Sequence, residues 1–181
     1  MEKKQLNNAY LDGANLHQGI RSQKWILDYR RFRIWLEEKY AVKEAYLFIG
    51  LIPKFAELYK ELQEAGYILV FKEVVYDGNG KPKGNCDADL VVQAMQDHFL
   101  SKYEKAIIVS SDGDYASLVK LLMQRNALEC ILSPAREGRC SILLKKTNAP
   151  ITYLGQVRSL IESVQNKKAP GTDGTVQGSF S

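Results

Sequence analysis

The chain has 181 residues, 45% of them hydrophobic and 25% charged, which fits one globular domain with a substantial core and excludes disorder along its whole length. Its 25 Lys+Arg against 21 Asp+Glu leave a net charge of +4, too mild an excess to indicate a nucleic-acid partner by itself. The longest apolar stretches, such as 67–71 and 106–109, fall far short of the ~20 residues of a membrane span. The first eight residues have no apolar core of a secretory signal, and Cys86, Cys130 and Cys140 form no CxxC pair. A cytoplasmic chain with reduced thiols and no membrane partner is the expectation.

In chain order, short β-type runs alternate with longer helical ones. Residues 8–12 form a short apolar run closing on Asp-Gly. Trp25, Tyr29, Phe32 and Leu36 recur at three- and four-residue spacing and predict one helical stripe. Residues 42–50 end like a buried strand, and 54–65 read as a helix with Phe55, Leu58, Tyr59 and Leu62 inward and Gly66 as its stop. Residues 67–76 are β-rich until Asp77-Gly78-Asn79-Gly80 breaks them, and 88–102 are helical. Residues 106–110 form a short continuous apolar strand of the kind buried in a parallel sheet. A helix over 115–125, strands over 128–132 and 151–154, and a helix to about 164 complete the pattern. This alternation predicts an α/β fold, a three-layer Rossmannoid arrangement with a central, mainly parallel sheet flanked by helices. The domain is expected over 1–165, and the Gly-, Thr- and Ser-rich residues 166–181 as a flexible C-terminal tail.

In an open α/β sheet, ligands bind beyond the carboxyl ends of the strands, so the polar residues there carry the functional signal. Asp12-Gly13-Ala14-Asn15 follows the first strand, and Ser111-Asp112-Gly113-Asp114 follows the strand at 106–110. A further acidic pair, Asp87 and Asp89, opens the helix at 88–102. At ~100° per residue, Asp87 falls within the apolar stripe of Leu90, Val91 and Ala94, whereas Asp89 points away to solvent. An inward carboxylate must be paired, protonated or bound to a cation, so Asp87 is the candidate. Taken singly, each of these residues is adequately explained as a helix start or a turn. Taken together, Asp12, Asp87, Asp112 and Asp114 predict an acidic pocket whose carboxylates stay ionised around a cation. All-oxygen ligands favour Mg²⁺ or Mn²⁺ over zinc, for which His17, His98 and the cysteines have no ligand spacing. Such an ion polarises a phosphoryl oxygen and makes water a better nucleophile for in-line attack on phosphorus.

Three motifs stand in order: Tyr10-Leu11-Asp12-Gly13-Ala14-Asn15-Leu16, then Lys83-Gly84-Asn85-Cys86-Asp87-Ala88-Asp89-Leu90, then Ser110-Ser111-Asp112-Gly113-Asp114-Tyr115. Together they resemble the NYN domain family, a branch of the PIN-like metal-dependent nucleases, and the bacterial LabA-like members most. The resemblance runs over about residues 8–154. It implies a parallel sheet with flanking helices and a Mg²⁺- or Mn²⁺-binding pocket supplied by Asp12, Asp87, Asp112 and Asp114. It also implies that Asn15 helps hold a phosphate or an Asp in place, that Ser111 is the small hydroxyl residue ahead of the last acidic pair, and that Lys83 meets a phosphate. Family members are linked to RNA processing or decay.

Arg136 and Arg139 follow the strand at 128–132 and are expected on the same sheet edge as Asp112, where each suits a bidentate phosphate contact. Trp25, Tyr29 and Phe32 suit base stacking, although their spacing with Leu36 reads first as core. The glycine-rich stretch 77–83 lacks a P-loop pattern, and the first strand lacks the second Asp of a haloacid-dehalogenase-type phosphatase. The leading expectation is a divalent-metal-dependent ribonuclease, with a non-catalytic RNA- or nucleotide-binding regulatory module as the alternative. RNA is the expected partner; DNA and a homo-oligomer are both left open. Setting the four Asp residues aside leaves 25 basic against 17 acidic residues, a balance of +8: an anionic pocket in an otherwise basic chain.

Overall fold

The computed structural model describes residues 6–72, 75–76, 82–83 and 87–164. The expected tail at 166–181 and Cys86 lie outside the described residues. In chain order the elements are β1 (Asn7–Asp12), α1 (Gly13–Arg21), α2 (Tyr29–Tyr40), β2 (Val42–Gly50), α3 (Ala56–Glu64) and β3 (Tyr67–Lys72). They continue with β4 (Val75–Tyr76), β5 (Pro82–Lys83), α4 (Asp87–Phe99), β6 (Ala106–Val109), α5 (Ala116–Gln124), β7 (Leu128–Ser133), α6 (Ile142–Lys145), β8 (Ile151–Tyr153) and α7 (Arg158–Ile161).

Six strands form one sheet in the order β3-β2-β1-β6-β7-β8, and every neighbouring pair is parallel. From β1 the chain winds outward through β2 to β3, returns to place β6 on the other side of β1, and winds outward again to β8. The direction therefore reverses between β1 and β6, where Leu11 of β1 stands level with both Leu47 of β2 and Val109 of β6. Such a reversal opens a crevice at the carboxyl ends of the two central strands.

Helices cover both faces, which is why the strands read as continuous apolar runs. Ala9 and Leu11 of β1, Leu47 and Ile49 of β2 and Val109 of β6 pack on one side, with Leu16, Ile20, Phe32, Leu36, Leu62 and Ile161 from α1, α2, α3 and α7. Tyr10, Tyr46, Phe48 and Ile108 pack on the other, with Leu90 and Ala94 of α4, Leu118, Val119 and Leu122 of α5, and Leu144 of α6. The three-layer α/β architecture expected from the sequence is the observed one.

Two readings of the sequence are corrected. The run 67–76 is not one strand: β3 ends at Lys72, and β4 pairs antiparallel with β5 in a separate two-stranded ribbon. Trp25 shares the spacing of Tyr29 and Phe32 but not their helix, because the Asp28 side chain accepts the Arg31 N–H and starts α2 after it. Trp25 and Phe32 are nevertheless buried, at 3% and 0% exposure, so neither ring is open to a base. The arginines of α2 also serve the fold. Arg33 donates to the carbonyls of Gly66 and Lys43, and Arg31 pairs with Asp28.

Candidate functional site

Asp12 is the last residue of β1 and the N-cap of α1, so one side chain ends the strand and starts the helix. Its Oδ1 accepts the Asn15 N–H at 3.0 Å, and its Oδ2 accepts the Tyr115 hydroxyl at 3.2 Å. Only 6% of Asp12 is exposed, so these donors replace much of the water a carboxylate needs.

Across the sheet reversal, the chain leaving β6 forms a tightly tied loop. The Asp112 N–H donates to Ser110 Oγ at 3.1 Å, and Asp112 Oδ1 in turn accepts the Asp114 N–H at 3.1 Å, opening a 3-10 turn over Gly113–Tyr115. Asn15 joins the two strand ends. Its Oδ1 accepts both the main-chain N–H and the hydroxyl of Ser111, each at 2.8 Å. Asn15 thus holds Asp12 through its backbone and Ser111 through its side chain, and the Ser111 hydroxyl proton is committed to that bond.

The third wall comes from the segment after β7. Ser141 N–H donates to the Ser111 carbonyl at 3.1 Å, and a Cβ on Gly113 would run into Ser141 Oγ and Leu143. Only glycine allows α6 to seat this closely against the acidic loop. Farther back, Gly19 lies so close to Pro134 that a Cβ there would stand 2.8 Å from the Pro134 Cβ, and Gln23 Nε2 donates to the Pro134 carbonyl at 2.6 Å. These contacts bring the 134–143 segment to the sheet edge that bears Asp12 and Asp112, as expected for the loop after β7. Arg136 and Arg139 are exposed there and make no ion pair among the described residues.

The structure thus places Asp12, Asn15, Ser111 and Asp112 around the β1/β6 reversal, with Asp114 exposed on the adjoining turn. Asp87 begins α4, whose Leu90 and Ala94 face inward at 0% exposure while Asp89 is exposed, the division the helical stripe predicts. The side chain of Asp87 lies outside the described residues. Lys83 lies on β5, in the small ribbon rather than the main sheet. Among the described residues, to which the Asp87 side chain does not belong, no group of three or more His, Cys, Asp or Glu is close enough to hold a metal ion. The donors available at the reversal are oxygens, the chemistry of a hard divalent ion rather than zinc.

Three residues of consequence escape a reading of strand ends. Tyr115 is fully buried and reaches Asp12; an aromatic one position past the acidic pair reads only as a helix start. Ser110 holds Asp112 from inside the apolar run. Asp97 has 0% exposure on α4 and accepts from Tyr10, Gln93 and Lys102; the stripe through Leu90 and Ala94 continues to it at i+7, which was the available signal. His17, on α1, is half-buried, and its imidazole is pushed below its ordinary value of 6.5, first by burial and then by Arg21.

The family model for the NYN domain matches residues 9–152, a span that runs from β1 into β8 and contains every residue of this constellation. The chain belongs to the NYN domain family. No curated protein matches this NYN domain chain. Among solved structures it is similar to a protein of unknown function from Vibrio parahaemolyticus RIMD 2210633, with 20% sequence identity and a TM-score of 0.70, over 85% of this chain and 95% of that one. At that identity the likeness is one of fold. The NYN domain is a nuclease-like module, and no helix among the described residues of this one is long and apolar enough to cross a membrane.

Proposed function

We propose that this NYN domain is a divalent-cation-dependent ribonuclease whose cleavage site is the crevice at the β1/β6 reversal. The observation that carries the reading is the buried Asp12 carboxylate at the end of β1, tied through Asn15 to the loop bearing Asp112 and Asp114. A carboxylate so nearly removed from water favours a neighbouring cation, and the oxygen-only donor set suits Mg²⁺ or Mn²⁺. In this reading Asp12, Asp87, Asp112 and Asp114 hold the ion. When bound, it neutralises charge on the phosphoryl oxygens and eases loss of a proton from water.

The chain's own residues do the remaining work. Asn15 and Ser111 keep the two strand ends in register, so the carboxylates need little rearrangement on binding. Lys83, Arg136 and Arg139 meet the phosphates of a single strand, and the exposed arginines offer planar forks that match phosphate oxygens. RNA is the proposed substrate on the family's record, with DNA tested alongside.

The test uses purified chain on single-stranded and structured RNA, and on DNA of the same sequences, with Mg²⁺ or Mn²⁺. The Asp12→Asn and Asp112→Asn variants serve as controls. The proposal expects cleavage that needs the added ion and falls at least about 100-fold in either variant, about 2.7 kcal/mol at 1.36 kcal/mol per tenfold. Cleavage that survives both substitutions excludes this site. Ion-dependent RNA binding with no product after long incubation assigns the crevice to a regulatory, non-catalytic module instead.

A further inference from the structure

The segment from β7 to α6 carries a feature the acidic crevice does not explain. Ile142 and Leu143 are 60% and 53% exposed, whereas Leu144, next in line, is fully buried. One turn of helix cannot bury all three, and single exposed apolar residues are ordinary on protein surfaces. The position of this pair is not ordinary. Gly113 lies against Leu143, and the Ser141 N–H is bonded to the Ser111 carbonyl, so Leu143, with Ile142 next to it in sequence, borders the acidic turn. Arg136 and Arg139 are exposed just upstream, and Lys145 and Lys146 follow downstream, against the single acidic Glu137.

Two exposed aliphatic side chains, close in sequence to arginines that make no ion pair among the described residues and beside the proposed phosphodiester site, match an unstacked nucleotide: an apolar base face and a charged backbone held side by side. We infer that Ile142 and Leu143 form a platform under a nucleobase of single-stranded substrate, while Arg136 and Arg139 take its backbone phosphates. The inference rests on the proposed nuclease site and deepens it: the preferred substrate is single-stranded, because a base inside a duplex has no free face to offer. The contact is tolerant of sequence, since every base has such a face. A β-branched and a γ-branched aliphatic chain supply a flat patch without reading any hydrogen-bonding edge.

The experiment measures binding of a fluorescein-labelled 12-nucleotide oligouridylate by fluorescence anisotropy, using the full chain carrying Asp12→Asn so that no cleavage intervenes. A 12-base-pair RNA duplex is the comparison. Ile142→Ser is expected to weaken single-strand binding at least about fivefold and to leave duplex binding within about twofold, whereas Ile142→Trp tightens the single strand. Ile142 is 60% exposed, and circular dichroism checks that each variant is folded. The Arg136→Ala and Arg139→Ala pair is expected to weaken both ligands and to flatten the salt dependence of single-strand binding by roughly 0.7 per arginine. Equal losses on both ligands with Ile142→Ser, or no loss, overturn the platform. So does a change in oligomeric state with unchanged RNA affinity, which would make the patch a contact between copies. Single-strand preference lost in Ile142→Ser supports the platform even where the Asp12-intact chain cuts nothing. Ion-dependent cleavage with unaltered binding in that variant removes the platform and leaves the nuclease standing.

Discussion

The Tyr115 hydroxyl donates to Asp12 Oδ2 at 3.2 Å across 103 positions of the sequence, with both residues buried. The bond joins the end of β1 to the turn that follows β6, while Asn15 joins the same two strand ends through Ser111. Tyr115 thus stands to Asp12 as Asn15 stands to Ser111: a polar side chain whose partner exists only because β1 and β6 are neighbours. Tyr115→Phe keeps the ring and removes the donor. A hydrogen bond to a charged acceptor contributes about 1.5–3 kcal/mol. The expected outcome is a fall of that size in urea-unfolding stability with an unchanged denaturant slope, together with weaker ion-dependent cleavage. Full stability and full activity in Tyr115→Phe would show that the hydroxyl does not position Asp12.

Asn15→Ala deprives both the Ser111 N–H and the Ser111 hydroxyl of their acceptor. Leaving buried or half-buried donors unsatisfied costs about 1–3 kcal/mol, which lowers the melting temperature by roughly 2–4 °C per kcal/mol in a chain of this size. Asn15→Asp keeps an acceptor oxygen for both donors, so its melting temperature is expected nearer to that of the parent. Scanning calorimetry on the three proteins tests this order. Equal losses in the two variants would mean that the brace needs the amide rather than an acceptor.

Asp97 is the hub of a separate buried network, accepting from Tyr10 at 2.9 Å, Gln93 at 3.0 Å and the Lys102 ammonium at 3.1 Å. Two of these three partners differ in exposure. The Lys102 side chain is 45% exposed and can return to water, whereas Tyr10 is fully buried. Asp97→Ala is therefore expected to cost about 1–3 kcal/mol, through the orphaned Tyr10 hydroxyl. Lys102→Ala leaves the 0%-exposed Asp97 carboxylate without its ammonium partner and is expected to cost at least as much as Asp97→Ala. Chemical denaturation of both variants checks this order, and a loss below about 1 kcal/mol in Lys102→Ala would refute it.

His17 gives the fold a pH dependence. Burial, then Arg21, lowers the pKa of its imidazole below the ordinary 6.5, so between those two values the unfolded chain binds a proton that the folded chain refuses. Stability then rises with pH through that window; the contribution is present above pH 6.5 and is lost as pH falls through the folded value. The melting temperature is expected to drop on acidification below pH 6.5. His17→Gln, which cannot titrate, is expected to show a shallower drop in matched buffers. Parallel curves for the two proteins would remove His17 as the cause.

What the sequence determined by itself follows from local physics. Two-residue and 3.6-residue apolar periods mark strands and helices wherever one face is buried, so Val42–Gly50 and the inward line of Leu90 and Ala94 were legible. Asp-Gly at the ends of two apolar runs likewise marked the places where strands stop, and the three ordered motifs marked the family. Periodicity is silent where two local causes compete. The spacing of Trp25 continues the α2 stripe, but the Asp28 cap decides where the helix starts.

Tertiary structure alone decided which strands are neighbours. Nothing local distinguishes the order β3-β2-β1-β6-β7-β8 from other windings of the same six strands, because parallel pairing is settled by the packing of all the crossover helices at once. That order sets Asp12 beside the Ser111–Asp114 loop, brings the Tyr115 hydroxyl to Asp12 and seats the 141–143 segment against Gly113. A hydrogen bond needs donor and acceptor within about 3.5 Å, and residues 96 or 103 positions apart meet that condition only in the finished fold. The acidic residues could be named from the chain; the side chains that hold them in place could not.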